Sequence, residues 1–254
     1  MPDEVLVEHA GGVTVVTINR PAARNAVNRA VTDGIAAALE EFEARKDLTV
    51  AILTGTGGTF CSGMDLKAFV AGEDVTHPER GFAGITLRPP HKPVIAAVEG
   101  YALAGGCEIA LACDLIVAAE DARFGIPEVK RGLVAGAGGL IRLPRRVPHG
   151  VAMRLALTGE TVTAAQAERY SLVTELTAPG KALDGARALA AAIAANAPLA
   201  VAATKRVLDG QADWTSAEAF DRQAEILRPV ITSADAREGA TAFAEKRPPV
   251  WRGE

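Results

Sequence analysis

The sequence predicts an α/β fold with a helical C-terminal region, on three observations. Strand-like and helix-like runs alternate from the N-terminus to about residue 120. Several of the strand-like runs are continuously apolar, the mark of strands covered by helices on both faces. From Val151 onward the hydrophobic spacing is almost entirely helical.

Val5 to Val7, the turn Ala10-Gly11-Gly12 and the β-branched return Val13 to Ile18 predict an antiparallel hairpin. Val31, Ile35, Leu39 and Phe42 recur at helical spacing, which predicts an amphipathic helix from about Asn28 to Arg45. Thr49 to Leu53 is a short apolar strand that ends in the turn Thr54-Gly55-Thr56-Gly57-Gly58. Pro93 to Val98 and Leu115 to Ala119 are strand-like, with a helix-like stretch from Gly105 to about Cys113 between them. The C-terminal helices are expected at Val151–Leu157, Ala164–Tyr170, Ala182–Asn196, Leu199–Leu208 and Ala217–Val230. A last helix should be capped by the Ser233 hydroxyl, with Asp235 and Glu238 complementing its dipole, and should stop before Pro248-Pro249.

Composition narrows the function. The 254 residues are 49% hydrophobic and 23% charged, as in ordinary globular domains, which excludes disorder and a coiled coil. With 27 Lys+Arg against 31 Asp+Glu the net charge is -4, which argues against a nucleic-acid partner. Cys61, Cys107 and Cys113 form no CxxC, and the four His have no metal-ligand spacing. So sparse and odd a set of cysteines fits a reducing compartment. The acidic start, Met1-Pro2-Asp3-Glu4, lacks signal-peptide order, and the Ala-rich stretch 182–197 is too polar to span a bilayer. A cytoplasmic protein without a membrane partner is expected.

The candidate chemistry lies at three places where a chain turn opens a helix or ends a strand. None of the glycine-rich turns is a P-loop or a dinucleotide fingerprint. Gly105 and Gly106, however, precede a helix whose first N–H groups are unpaired and can hold an anion. Glu108 follows one turn later on the same face, either as a dipole complement or as a catalytic acid. Phe124-Gly125-Ile126-Pro127-Glu128 presents a second carboxylate, either on a stiff strand-end mount made by Pro127 or simply as an exposed loop glutamate. Phe60-Cys61-Ser62-Gly63-Met64-Asp65-Leu66-Lys67 again runs from a turn into a possible helix. Two such sets of N–H donors aimed at one point would form an oxyanion hole.

In order and spacing these segments resemble the enoyl-CoA hydratase/isomerase (crotonase) superfamily over nearly the whole chain. The matching pieces are Arg20-Pro21 through Asn25-Ala26, residues 60–67, Lys92–Val98, Gly100–Glu108, Cys113-Asp114, Phe124–Glu128, Ala137-Gly138-Gly139 and Phe243–Arg247. The resemblance implies a spiral core of repeated ββα units over residues 1–195. A helical region over 196–254 would serve trimerisation, often as a dimer of trimers. It also implies an acyl-CoA thioester substrate and neither metal nor redox cofactor.

By the same resemblance, the oxyanion donors fall on the backbone N–H groups of Met64 and Gly105, and the two hydratase acids on Glu108 and Glu128. CoA would lie along Ala22, Arg24 and Ala26 and along Ser62, Met64, Asp65, Leu66 and Lys67. Phe243 and Lys246, from a neighbouring subunit, are candidates for its adenine and phosphate end. Ala104, Met64 and Ala135 depart from the family pattern. The blocks Leu140–Pro144 and Phe243–Trp251 look like the carnitinyl-CoA dehydratase branch. Hydration of a 2-enoyl-CoA is the leading expectation. Hydration of crotonobetainyl-CoA, 3,2-isomerisation and acyl-CoA binding without turnover are the alternatives.

Overall fold

The structure, a computed structural model, describes residues 3–254; Met1 and Pro2, part of the segment read for a targeting signal, lie outside the described residues. In chain order the elements are β1 (Val5–Ala10), β2 (Val13–Ile18), α1 (Arg29–Ala44), β3 (Val50–Gly55), α2 (Leu66–Val70), β4 (Thr76–His77), β5 (Gly81–Phe82), β6 (Val94–Val98) and β7 (Tyr101–Leu103). There follow α3 (Gly105–Ala112), β8 (Leu115–Ala119), β9 (Arg123–Gly125), a 3₁₀ turn (Pro127–Arg131), α4 (Gly139–Arg146), α5 (His149–Thr158), β10 (Val162–Thr163), α6 (Ala164–Arg169) and β11 (Glu175–Thr177). The chain ends in α7 (Ala182–Ala194), α8 (Pro198–Gly210), α9 (Ala219–Ile231) and α10 (Ala234–Glu245).

Six strands form the main sheet in the order β1-β2-β3-β6-β8-β11, antiparallel only at the β1–β2 hairpin. A side-chain period of two explains how continuous apolar runs serve two cores at once. Val50 and Ile52 of β3, Ile95 and Ala97 of β6 and Val117 of β8 face α7, which meets them with Ala182, Ala186 and Ala190. Their neighbours Ala51, Leu53, Ala96, Ile116 and Ala118 join Ile35, Leu39 and Phe42 of α1 on the other face. Each fully buried Val, Leu, Ile or Phe contributes about 1.5–3 kcal/mol relative to exposure.

A smaller sheet, β10-β9-β7, lies beside the first, and Cys61 adds an isolated parallel bridge to Ala102 of β7. The repeating unit is therefore one strand in the large sheet, one short strand in the small sheet, then a helix. β6-β7-α3 is its fullest instance. The parallel strands β7 and β9 of the small sheet deliver α3 and the 3₁₀ turn to the same side, and that placement assembles the site.

The expected hairpin and helices are present with small shifts at their ends. The Asn28 side-chain oxygen caps α1 by accepting from Val31 N–H at 3.0 Å, and Ser233 caps α10 through Ala236 N–H at 3.0 Å. The short strands β4, β5, β7, β9, β10 and β11 and the helix α4 have no counterpart among the expected elements. Strands of two or three residues carry no readable period. α4 is only eight residues long and contains Pro144, a helix breaker, so its short buried stripe of Gly139 and Leu143 does not read as a helix. Among the described residues no single helix is long and apolar enough to cross a membrane; α7 with the 198–213 segment passes that test only as a pair bent by 108°.

Candidate active site

Arg24, Ser62, Met64, Leu66, Gly105, Glu108 and Glu128 line one cleft of about 510 Å³. Segments far apart in sequence are thus brought to one wall. Gly63 packs against the start of α3: a Cβ built on Gly63 would lie 2.9 Å from the Ala104 Cβ and 3.1 Å from the Gly105 nitrogen. Gly63 also has φ +101°, where an L side chain is strained, so glycine is required there on both counts.

The backbone directions follow from local pairing. Val27 N–H donates to Gly63 C=O at 2.8 Å, and Asp65 N–H donates to Val27 C=O at 2.8 Å. Along an extended segment successive groups point to opposite sides, so the Met64 N–H between them turns away from Val27, toward the cleft. Gly105 is the first residue of α3, so its N–H has no acceptor within the helix and carries the positive end of the helix dipole. Neither N–H donates to a protein group among the described residues.

Glu108 is buried at 3% exposure. Its Oε1 accepts from Ala137 N–H and Gly139 N–H, each at 2.8 Å, at the start of α4. Burial pushes its carboxyl up to about 7; those two N–H bonds oppose the shift, and the Glu128 charge adds to it. Glu128 stands in the 3₁₀ turn behind Pro127, half-buried, and burial raises its pKa as well. Its Oε2 is buried without a hydrogen-bond partner. The Glu128 charge on Glu108 works against ionising both acids at once, so the two titrations are coupled.

Other sequence candidates lie elsewhere. Asp65 caps α2 through Lys67 and Ala68 N–H and holds the Arg20 guanidinium at 3.1 Å, so its carboxylate is engaged structurally. Ala26 is buried and its carbonyl accepts from Arg20. Ala22 is exposed in a 3₁₀ turn (Pro21–Ala23), and Lys67 is exposed on α2; neither lines the cleft. Phe243 is 87% exposed on α10 and Lys246 ends that helix at φ 55°, both outside this chain's cleft.

The structure adds Phe69, Phe82, Leu133, Val134 and Arg131 to the cleft, an apolar wall with one cation. A regular offset was available for Arg131, three residues after Glu128, but a turn of that kind is not visible in composition. Among the described residues no three His, Cys, Asp or Glu side chains converge as metal ligands.

Residues 8–254 match the family described as enoyl-CoA hydratase/isomerase. Carnitinyl-CoA dehydratase from Salmonella arizonae is 40% identical over 261 aligned residues, covering both chains fully. The crystal structure of an enoyl-CoA hydratase from Mycobacterium tuberculosis H37Rv superposes with a TM-score of 0.98 at 59% identity, covering 99% of this chain and 100% of that one. A carnitinyl-CoA hydratase from Mycobacterium avium superposes with a TM-score of 0.81 at 47% identity, with both chains fully covered. The fold is the crotonase fold, and the chain belongs to the enoyl-CoA hydratase/isomerase family.

Proposed function

We propose that the protein is a hydro-lyase that adds water reversibly across the 2,3 double bond of 2-enoyl-CoA thioesters. The observation that carries this reading is the pairing of two upward-shifted carboxyls, one buried and one half-buried, with two unpartnered N–H groups in one cleft. The thioester oxygen accepts from Met64 and Gly105 N–H, which are fixed before the reaction and strengthen their hold as the oxygen gains charge. Ionised Glu108, kept in place by Ala137 and Gly139, takes a proton from water as that water bonds to the β-carbon. The electron pair of the double bond moves to the enolate. Glu128 then delivers its proton to the α-carbon, and the proton taken up by Glu108 restores Glu128 through the water site. A base with a pKa near 7 suits neutral pH.

Arg24, Ser62 and Leu66 mark the end of the cleft suited to CoA. The exposed helical region 196–254 serves as the self-association surface of a trimer or dimer of trimers: α9 has no buried residue, and Phe220 and Ile231 are 80% and 71% exposed. Phe243 and Lys246 would reach a neighbour's CoA from there. A cytoplasmic place in fatty-acid metabolism completes the reading; three free, buried cysteines suit it.

Hydration of crotonobetainyl-CoA is the second reading, favoured by the name and 40% identity of the Salmonella relative. The test is loss of the conjugated-thioester ultraviolet absorbance on incubation with crotonyl-CoA and longer homologues. Glu108→Gln and Glu128→Gln should each lower kcat by about two to four orders of magnitude. Folded protein inactive on every chain length would reject hydration, and two fully active variants would reject the two-acid mechanism.

A further inference from the structure

The cleft has four charged lining residues, and the proposed hydration uses three of them: Arg24 for CoA and the two glutamates for chemistry. The fourth is Arg131. It closes the 3₁₀ turn Pro127–Arg131, where side chains three residues apart stand on one face. Packing behind the turn says which face is which. A Cβ on Gly159 would lie 3.1 Å from the Lys130 Cγ, so the Lys130 side chain packs at the end of α5, while Pro127, whose Cα is 3.2 Å away, also lines the cleft. Glu128 and Arg131, one position round, both face the cleft, and Lys130 does not line it.

The Arg131 guanidinium pairs with no carboxylate among the described residues and stands by exposed Leu133 and Val134. Its charge is close enough to Glu128 to pull that carboxyl down against burial. The oxyanion donors fix where the thioester carbonyl lies, and the glutamates mark the β-carbon. Arg131, Leu133 and Val134 line the same cleft in the segment that follows Glu128, where an acyl chain extending past the β-carbon can be received.

Resting on the enoyl-CoA reading, we propose that Arg131 is a specificity-determining residue that reads charge on the γ-carbon of the acyl chain, favouring an anionic carboxylate there and rejecting a quaternary ammonium. A guanidinium offers a carboxylate a charge-assisted, two-pronged hydrogen bond, whereas a fixed cation beside it is repelled with no acid left over to offset it. The same residue separates this cleft from one built for crotonobetainyl-CoA.

Three substrates isolate the effect, since they share the reacting enoyl thioester and differ at the γ-carbon: crotonyl-CoA (neutral), glutaconyl-CoA (carboxylate) and crotonobetainyl-CoA (trimethylammonium). Wild type should show kcat/KM for glutaconyl-CoA about a hundredfold above that for crotonobetainyl-CoA. Arg131→Gln should shrink this ratio at least about tenfold, the scale of one charge-assisted contact, and any change it makes through Glu128 should fall alike on all three substrates and leave the ratio untouched. Arg131→Glu should invert the order. Lys130→Gln, which removes the same charge from the opposite face of the turn, should leave the ratio unchanged.

A ratio unaffected by Arg131→Gln, or equal losses on all three substrates as expected of a CoA-phosphate contact, would overturn the assignment. Wild type inactive on all three would instead reject hydration itself. The charge preference would then be read from Kd values of butyryl-, glutaryl- and γ-butyrobetainyl-CoA by calorimetry, and equal Kd values in wild type would overturn it there as well.

Discussion

The Glu108 Oε1 takes the Gly139 N–H at 2.8 Å, and a methyl group added to Gly139 would sit 3.0 Å from that same oxygen. The start of α4 is therefore both the clamp that aims Glu108 and a surface with no room for a side chain. Gly139→Ala should push the carboxylate off its two donors. We expect kcat to fall about ten- to a hundredfold, as small misplacements of catalytic groups do, with KM for crotonyl-CoA little changed. Steady-state kinetics beside a circular-dichroism melt would separate this from unfolding.

Glu108 also makes stability depend on pH. Its folded pKa of about 7 lies above the ordinary 4.5, so the folded protein holds this proton more tightly than the unfolded chain does. The linked stabilisation is whole below about pH 4.5 and is lost as pH rises through about 7. Glu108→Gln keeps an oxygen for both N–H donors and cannot ionise. At about pH 8 it should melt several degrees above wild type, at about 2–4 °C per kcal/mol for a chain of this size. The difference should vanish near pH 4.5, the ordinary value, and scanning calorimetry at the two pH values checks it.

Ala104 is a second strained point at the site. It caps α3 at φ 51°, ψ -129°, a region where non-glycine residues cost about 1–3 kcal/mol, and its N–H is held by Gly125 C=O at 2.9 Å. Ala104→Gly should raise Tm by about 2–6 °C. Hydratase activity should stay within about threefold, because the pinned neighbour still sets the direction of the Gly105 N–H. A fall in Tm would show that the Ala104 methyl packs to more effect than its strain costs.

Lys205 fastens α8 to the sheet. Its Nζ lies 2.7 Å from Asp114 Oδ2, which also accepts from Val94 N–H at 2.7 Å, and it donates to Lys92 C=O at 3.1 Å. Lys205 is 9% exposed. Lys205→Ala leaves Asp114 charged and short of its partner, at a cost of about 3 kcal/mol. Urea unfolding should register that loss as a lower midpoint with an unchanged slope.

Local chemistry made much of the fold legible from the sequence. The hairpin at Gly11-Gly12, the caps Asn28 and Ser233 and the apolar run Leu115 to Ala119 each act within a few residues, so their pattern is written where the element stands. The family blocks carried Met64, Gly105, Glu108 and Glu128 to one cleft in expectation. Other features depend on groups far along the chain. The meeting of Gly63 with Gly105 is made by the small sheet, whose strands of two or three residues have no period to read. The clamp on Glu108 comes from the N–H groups of Ala137 and Gly139, about thirty residues away, and backbone donors carry no sequence signature. The engagement of Asp65 with Arg20 was hidden for the same reason. Arg131 joins the cleft on the 3₁₀ turn that also carries Glu128, with Lys130 packed away against Gly159. The sequence by itself determined the longer elements and which acids were available; the tertiary structure decided the short strands, which groups share the cleft, how buried they are and so where they titrate, because burial and long-range approach are properties of packing and not of spacing along the chain.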